Sequence, residues 1–400
     1  MDRKDGGVMQ RKTYAKIDGE ALTKNVCEIR RKYPMYTYYF GVVKNNAYHH
    51  GMKCVLDLKK GGINYFAVSS LEEALLLRKY DSETPVLCLE PIDLEFIDDI
   101  INNNVTITVE SLDYTEKLLE SPLYGTVKVH LKVDSGMHRL GFINKEDLRK
   151  AYDLLKKQDK IEVEGVYSHF ATSGVVDPYY DEQVESFLDI TSLIDLKSIP
   201  IVHFGRSLSL VQHEKLSFCN GIRLGIILYG FAQSMKPDRS FKGRLREVKR
   251  HYLQKKYHCS KTTLENDLDL QPAFSLFTEV MSIRKVSEKD TVGYNKKEIK
   301  NDGYILTVPI GYADGVTKEF KSVWIENNYY PIVSDSMDML MVFASEPVQV
   351  NTTVEIIGKH LPIHLVCSRI HKNAYHLLND ISNRVVRVHV KDTEQEEIYY

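Results

Sequence analysis

Between residues 36 and 230 the chain alternates eight short β-prone runs with amphipathic helical stretches, and this rhythm restricts the available folds more than any other feature. The runs fall at 38–44, 65–69, 85–90, 105–110, 127–134, 161–169, 201–205 and 221–230, with clear helical stretches at 70–80, 93–102, 145–157 and 183–196. A strand, a helix and a second strand in succession pair in parallel through a crossover connection. Eight strands predict a closed (β/α)8 barrel of the TIM type rather than an open sheet. Reactive groups in such barrels collect where the strands end.

The rhythm breaks at residue 231. Nine Lys and Arg residues against two acidic ones make 236–258 basic. This stretch reads as a solvated helical insertion or as a polyanion contact. After Gln271, short strands expected at 280–286, 304–309, 323–325, 329–333, 340–343, 354–357 and 385–390 describe a mainly β domain. The expected organisation is a flexible N-terminus at 1–11, a barrel over 12–270 with an insertion at about 236–268, and a β domain over 271–400. The short strand at 13–17 has no clear barrel partner and is free to join the β domain. A net charge of -2 gives no global reason to bind nucleic acid or an acidic membrane. The six cysteines show neither a CxxC pair nor zinc-like spacing, so no metal centre is expected. No apolar run approaches the roughly 20 residues of a membrane span. The charged N-terminus does not read as a secretory signal, so a soluble cytoplasmic protein with reduced thiols is expected.

Residues 41–51 read Gly-Val-Val-Lys-Asn-Asn-Ala-Tyr-His-His-Gly. An apolar strand ends in Lys44, and turn-forming residues follow at once. A strand-end lysine facing a cavity suits Schiff-base attachment of an aldehyde cofactor, most commonly pyridoxal phosphate. A solvated lysine is the plainer reading. Lys132, in Val-His-Leu-Lys-Val-Asp-Ser-Gly-Met-His-Arg, needs a partner or a modification if it faces the barrel interior. Arg139 follows it with a permanent charge and a fork suited to a phenolate or carboxylate. His169 ends the sixth run and could be structural. Arg223 lies in an otherwise apolar run, where a permanent cation must be paired or face a ligand. Ser207, Gly225 and the backbone at Ile226 could bind phosphate. Tyr294 is one of 25 tyrosines, and nothing in its spacing distinguishes it. Tyr312, in Gly-Tyr-Ala-Asp-Gly, reads first as a turn.

Taken in order, these segments resemble the alanine racemase family. The resemblance spans about residues 14–390, through Tyr-Ala-Lys-Ile-Asp-Gly, Val-Val-Lys-Asn-Asn-Ala-Tyr, Lys-Val-Asp-Ser-Gly-Met-His-Arg-Leu-Gly, Ser-His-Phe-Ala-Thr, Arg-Leu-Gly-Ile-Ile-Leu-Tyr-Gly, Val-Gly-Tyr and Pro-Ile-Gly-Tyr-Ala-Asp-Gly. It implies interconversion of L- and D-alanine with pyridoxal 5'-phosphate, supplying D-alanine for peptidoglycan. Lys44 and Tyr294 would be the two acid/base groups, Tyr294 reaching over from the partner subunit of a homodimer. Arg139 would contact the cofactor's phenolic oxygen and the substrate carboxylate. Arg223 would face the pyridine nitrogen, supported by His169. Tyr48, Ser207, Gly225, Ile226 and Tyr375 would bind the phosphate. Tyr312, Met337 and Asp338 would line the substrate path, and Lys132 would be a candidate N-carboxylysine. No nucleic acid or membrane partner is implied.

The chain departs from the family pattern at Asn45 and His49 (usually Ala and Gly), Arg206 (usually Asn), Asn295 (commonly Gly) and Ser336 (often Cys). These departures leave a serine or broad-spectrum racemase open as an alternative. A fold-related decarboxylase is a minor one, since it would need a catalytic cysteine where Ser336 stands.

Overall fold

The computed structural model describes residues 11–172, 178–231, 268–391 and 394–398, with 244–245, 248–249, 251–252 and 255. The flexible N-terminus expected at 1–11 lies outside the described residues except for Arg11, as does most of the insertion expected at about 236–268. The chain divides into two compact units. One holds residues 21–47 and 52–271, the other the residues up to Glu20, 48–51 and 272–400.

The first strand, β1 (Tyr14–Asp18), belongs to the second unit. The barrel unit begins with β2 (Tyr38–Val42) and continues through β3 (Tyr65–Val68), β4 (Val86–Cys88), β5 (Val105–Val109), β6 (Val127–Lys132), β7 (Ile161–Tyr167), β8 (Ile201–Arg206) and β9 (Gly221–Leu224). These eight strands form one closed parallel barrel, sealed where β2 pairs with β9 in the register Tyr38↔Gly221 and Phe40↔Arg223. The TIM-type barrel expected from the strand–helix rhythm is therefore observed. Strands such as β3 and β5 are buried along their whole length. This is the condition of a parallel strand covered on both faces.

The helices begin where short polar side chains can cap them. Ser70, Ser111 and Asn144 accept hydrogen bonds from the Glu73, Tyr114 and Asp147 amides respectively. Two expected elements differ. The helix expected at 183–196 runs over Tyr179–Ile190, with Pro178 at its start, where a missing N–H costs nothing. The run at 221–230 is a strand only to Leu224. It then becomes a 3-10 turn over Ile226–Tyr229, bracketed by Gly225 and by Gly230 at φ 87°.

The second unit is mainly β. Its ten-stranded sheet runs in the order β11-β14-β17-β16-β15-β18-β10-β1-β19-β20. The strands are β10 (Phe274–Glu279), β11 (Ser282–Val286), β14 (Gly303–Val308), β15 (Ser322–Ile325), β16 (Asn328–Asp335), β17 (Leu340–Ala344), β18 (Thr353–Ile357), β19 (Val386–Lys391) and β20 (Glu394–Ile398). A separate two-stranded hairpin joins β12 (Thr291–Val292) to β13 (Lys297–Glu298). β1 sits within the sheet, antiparallel to β10 and parallel to β19. β10 was not expected from the sequence, although its alternating burial is that of a half-buried strand. Helices Ile363–Ile370 and Ala374–Asp380 complete the unit. Among the described residues no helix is long and apolar enough to cross a membrane.

Leu131 on β6 is fully buried and alternates with His130 and Lys132, so it points to the opposite face of the strand. Leu131→Ala is expected to cost about 2–5 kcal/mol. Urea titration should show a lower midpoint at unchanged slope.

Candidate active site

Lys44 follows β2 directly, and the Val43 amide still bonds to the Ala67 carbonyl at 2.9 Å. From Asn45 to His49 the backbone then lies in the left-handed region, with φ of 52°, 52°, 55°, 53° and 63°. Left-handed helical turns cost L-residues roughly 1–2 kcal/mol each, least for Asn. The strain here is held from outside. The Asn45 amide bonds to the Glu73 carboxylate, whose second oxygen accepts the Ser69 amide at 2.8 Å. The half-buried Lys44 is thus carried between a strand and a clamped turn. Residues 48–51 belong to the β unit. There the Tyr48 ring lies 5.8 Å from the Tyr375 ring, and Arg387 Nε donates to the His49 carbonyl at 3.0 Å.

The remaining barrel candidates also stand at strand ends. Lys132 closes β6, His169 follows β7, Ser207 follows β8, and Gly225 and Ile226 follow β9, which carries Arg223. Lys132 is buried with no hydrogen-bond acceptor among the described residues, its Nζ lying 4.6 Å from the Tyr167 ring centroid. Burial, then the charges of Arg223 and Arg139, push its pKa well below the usual lysine value, against a weaker pull from Asp134. Arg139 is exposed at the end of the loop after β6. That loop winds around the Asp134 carboxylate, which accepts the amides of Gly136 (3.0 Å), His138 (2.9 Å) and Arg139 (2.6 Å). The Ser207 hydroxyl is buried and accepts the Gly225 amide at 2.9 Å.

Arg223 is the most constrained of these side chains. Its NH1 bonds to His203 Nδ1 at 2.6 Å and the His203 carbonyl at 3.2 Å. Its NH2 bonds to the Ser168 carbonyl at 2.6 Å, His169 Nδ1 at 3.1 Å and the Phe204 carbonyl at 3.2 Å. The Nε–H has no acceptor among the described residues. Burial lowers the Arg223 pKa to about 10, which leaves it a cation at neutral pH. A guanidinium can only donate, so both histidines must accept at Nδ1 and carry their proton at Nε2. Burial, followed by the Arg223 charge, pushes both imidazoles well below the ordinary histidine pKa, so both are neutral.

In the β unit, Tyr294 lies in the turn of the β12–β13 hairpin, between Gly293 at φ 64° and Asn295 at φ 61°, and is 72% exposed. Asn295 stands where glycine is common, and Asn is the side chain that best tolerates this backbone. Tyr312, Met337 and Asp338 lie close together, since the Tyr312 amide bonds to the Ser336 carbonyl (3.1 Å) and the Ala313 amide to the Met337 carbonyl (3.0 Å). Arg384 holds Asp338 at 2.6 Å. Asp314 is fully buried and bonded to Arg11 at 2.7 Å, so it holds the turn.

Residues 17–233 match the family described as alanine racemase, N-terminal domain, and residues 273–389 match alanine racemase, C-terminal domain. The chain belongs to the alanine racemase family. It is 32% identical to the alanine racemase of Streptococcus gordonii, over 88% of this chain and 89% of that protein. The crystal structure of alanine racemase from Bacillus anthracis with bound L-Ala-P is similar at a TM-score of 0.83 and 28% identity, covering 98% of this chain and 99% of that one. The histidine racemase of Leuconostoc mesenteroides subsp. sake is similar at a TM-score of 0.80 and 26% identity, covering 97% and 100%.

Alanine racemases depend on pyridoxal phosphate, and the barrel residues fit that group chemically. Lys132, Arg139, Arg206 and Arg223 all bear electrostatically on His169, making this end of the barrel positive. The Arg223 Nε–H is an uncommitted donor for a ring nitrogen. Residues not singled out from the sequence alone include His203, Tyr167, Ser168 and Asp134. The available signal was polar residues alternating with apolar ones inside strands that should be buried, such as His203 in Ile-Val-His-Phe-Gly.

Burial alone would raise the Asp134 pKa, but the amides of Arg139, Gly136 and His138 outweigh it and hold the carboxyl below its ordinary 3.8. Its contribution is therefore present above that pH and lost as pH falls through the lower folded value. Asp134→Ala should cost about 1–3 kcal/mol at neutral pH. Denaturant titrations should show the gap to the unsubstituted protein closing below pH 3.8.

Proposed function

We propose that this protein interconverts L- and D-alanine with pyridoxal phosphate attached at Lys44. The observation that carries this reading is Arg223, locked by five acceptor contacts with its Nε–H left over. When bound, the cofactor supplies an electron sink that makes the substrate Cα proton acidic. Inverting the stereocentre then requires one group to remove that proton and another to return it on the opposite face. Lys44 Nζ serves one face. Tyr294, from a second copy of the chain, serves the other. An aromatic left 72% exposed at the tip of a tight hairpin suits this role in a homodimer with shared sites.

Arg223, a cation at neutral pH, would donate to the ring nitrogen, which would keep that nitrogen unprotonated and disfavour decarboxylation and transamination. His169 supports Arg223 by accepting from it. Arg139 binds the phenolic oxygen and the substrate carboxylate. Ser207, Gly225 and Ile226, with Tyr48 and Tyr375, bind the phosphate. Tyr312, Met337 and Asp338 line the substrate path. Lys132 fits N-carboxylation, because a neutral amine is the form that adds carbon dioxide. The step would release one proton and turn that neutral amine into an anion that the Arg223 and Arg139 charges favour. The likeness to a histidine racemase, with Arg206, Asn295 and Ser336 in place of the usual residues, supports a second reading in which serine or a broader set of amino acids is accepted. The activity would supply D-alanine for peptidoglycan in the cytoplasm.

Incubation with each L-amino acid in deuterated water, followed by Cα exchange and chiral analysis, tests reaction and substrate range together. Fast exchange and racemisation of alanine are expected, and absence of both would refute the proposal. Lys44→Ala should lose the cofactor's visible absorption and all racemisation. Tyr294→Phe should keep the absorption yet lose about 10²–10⁴-fold in rate. L-to-D conversion should suffer more than exchange on the Lys44 side, and full activity in a verified monomer would remove the trans role of Tyr294.

A further inference from the structure

Behind Arg223 a file of hydrogen bonds runs through the barrel interior. Arg223 NH1 donates to His203 Nδ1 at 2.6 Å, His203 Nε2 lies 2.9 Å from His130 Nδ1, and His130 Nε2 lies 3.1 Å from Glu164 Oε2. Tyr65 Oη donates to the same carboxylate oxygen at 2.6 Å, and Lys128 Nζ lies 3.7 Å from the other. His130 and His203 are fully buried, and Glu164 is 8% exposed.

Glu164 stands there because β7 bulges. The β6–β7 register runs Val129↔Val163 and then His130↔Gly165, so Glu164 is an extra residue with no partner on β6. A bulge re-aims a side chain, here into the barrel. Gly165 completes the arrangement: a Cβ at that position would lie 2.5 Å from His130 Cε1 and 2.6 Å from Nδ1. Only glycine leaves room for the His130 ring. The His203 ring is held between those of Phe40 (4.5 Å, 16°) and Tyr167 (4.7 Å, 7°).

The two ends give the file one direction. A guanidinium donates and never accepts, and an ionised carboxylate accepts and never donates. His203 must therefore accept at Nδ1 and donate at Nε2, and His130 must do the same. The His130 and Tyr65 hydrogen bonds and the Lys128 charge outweigh the opposing effect of burial and keep Glu164 ionised. We propose that Glu164 is a positioning residue for the racemase: through His130 and His203 it fixes the direction of the hydrogen bonds behind Arg223, and so keeps the Arg223 Nε–H aimed at the cofactor. This rests on the role of Arg223 given above. An amide at position 164 can donate as well as accept. The file could then reverse, His203 Nδ1–H would face Arg223 NH1 donor to donor, and the guanidinium would lose its deepest acceptor.

The test reads both the file and its consequence. In full-length protein labelled with 15N-histidine, with and without cofactor, a scalar coupling across the His203 Nε2–H···Nδ1 His130 hydrogen bond should identify the pair and show two neutral Nε2–H tautomers. A charged ring or an Nδ1–H tautomer at either position would overturn the proposal, and this measurement needs no variant. Glu164→Gln should lower kcat about tenfold, the loss expected for one hydrogen bond to a charged group, with KM little changed, a shifted visible absorption of the bound cofactor and more abortive transamination per turnover. Gly165→Ala, which displaces the His130 ring and leaves the carboxylate in place, should give the same signature. In an Arg223→Lys background, Glu164→Gln should add nothing further to the transamination ratio. Independent, multiplying effects, or a Glu164→Gln variant that is merely less stable with an unchanged ratio and spectrum, would overturn it. An unsubstituted protein that neither takes up pyridoxal phosphate nor exchanges the alanine Cα proton would remove the functional reading and this proposal with it. A competent one whose Glu164→Gln variant is unchanged would remove this proposal alone.

Discussion

A permanent guanidinium buried inside a closed barrel has to be surrounded by acceptors, and much of the barrel's interior follows from that requirement. Taking such a cation out of water costs several kcal/mol. Arg223 recovers it through three backbone carbonyls and two imidazoles. Two of those carbonyls lie on β8, whose register with β9 shifts between His203 and Arg206, and the third, that of Ser168, follows the end of β7. Burial first, and then the same charge, keep His169 and His203 neutral and depress the neighbouring lysine.

The two proposed acid/base groups are held in opposite ways. Lys44 sits between a strand and a run of five left-handed residues, whose first amide the Glu73 carboxylate ties to the next strand end. Tyr294 stands on a hairpin turn whose glycine and asparagine need no such restraint, and its ring is left to solvent. One side chain is half-buried beside a strained, tied turn, and the other is left exposed on an unstrained one.

The strand–helix alternation was legible because the barrel strands are mostly buried on both faces, and strands such as β3 and β4 read as short apolar runs bounded by turn residues. The strands not expected include the short β12 and β13, the last strand β20, and β10, which buries one face only and is separated from β11 by no turn signal. The run at 221–230 looked like one strand because its residues are apolar throughout. Apolarity reports burial, and two glycines were enough to turn its second half into a 3-10 turn. Among the site residues, those in short ordered motifs were found. His130, His203 and Glu164 were not, because each is an ordinary polar residue until β6, β7 and β8 bring them together, and because the bulge that turns Glu164 inward is a property of register.

The sequence by itself determined the family, the closed barrel followed by a β domain, and the lysine at the end of the first barrel strand. All three rest on local periodicity and on motifs a few residues long. Only the tertiary structure decided which polar residues are buried together, which way their hydrogen bonds run and which donor on Arg223 is left uncommitted. Those facts depend on distances between residues far apart in the chain, and on the rule that a buried charge must find a complementary partner wherever the fold places one.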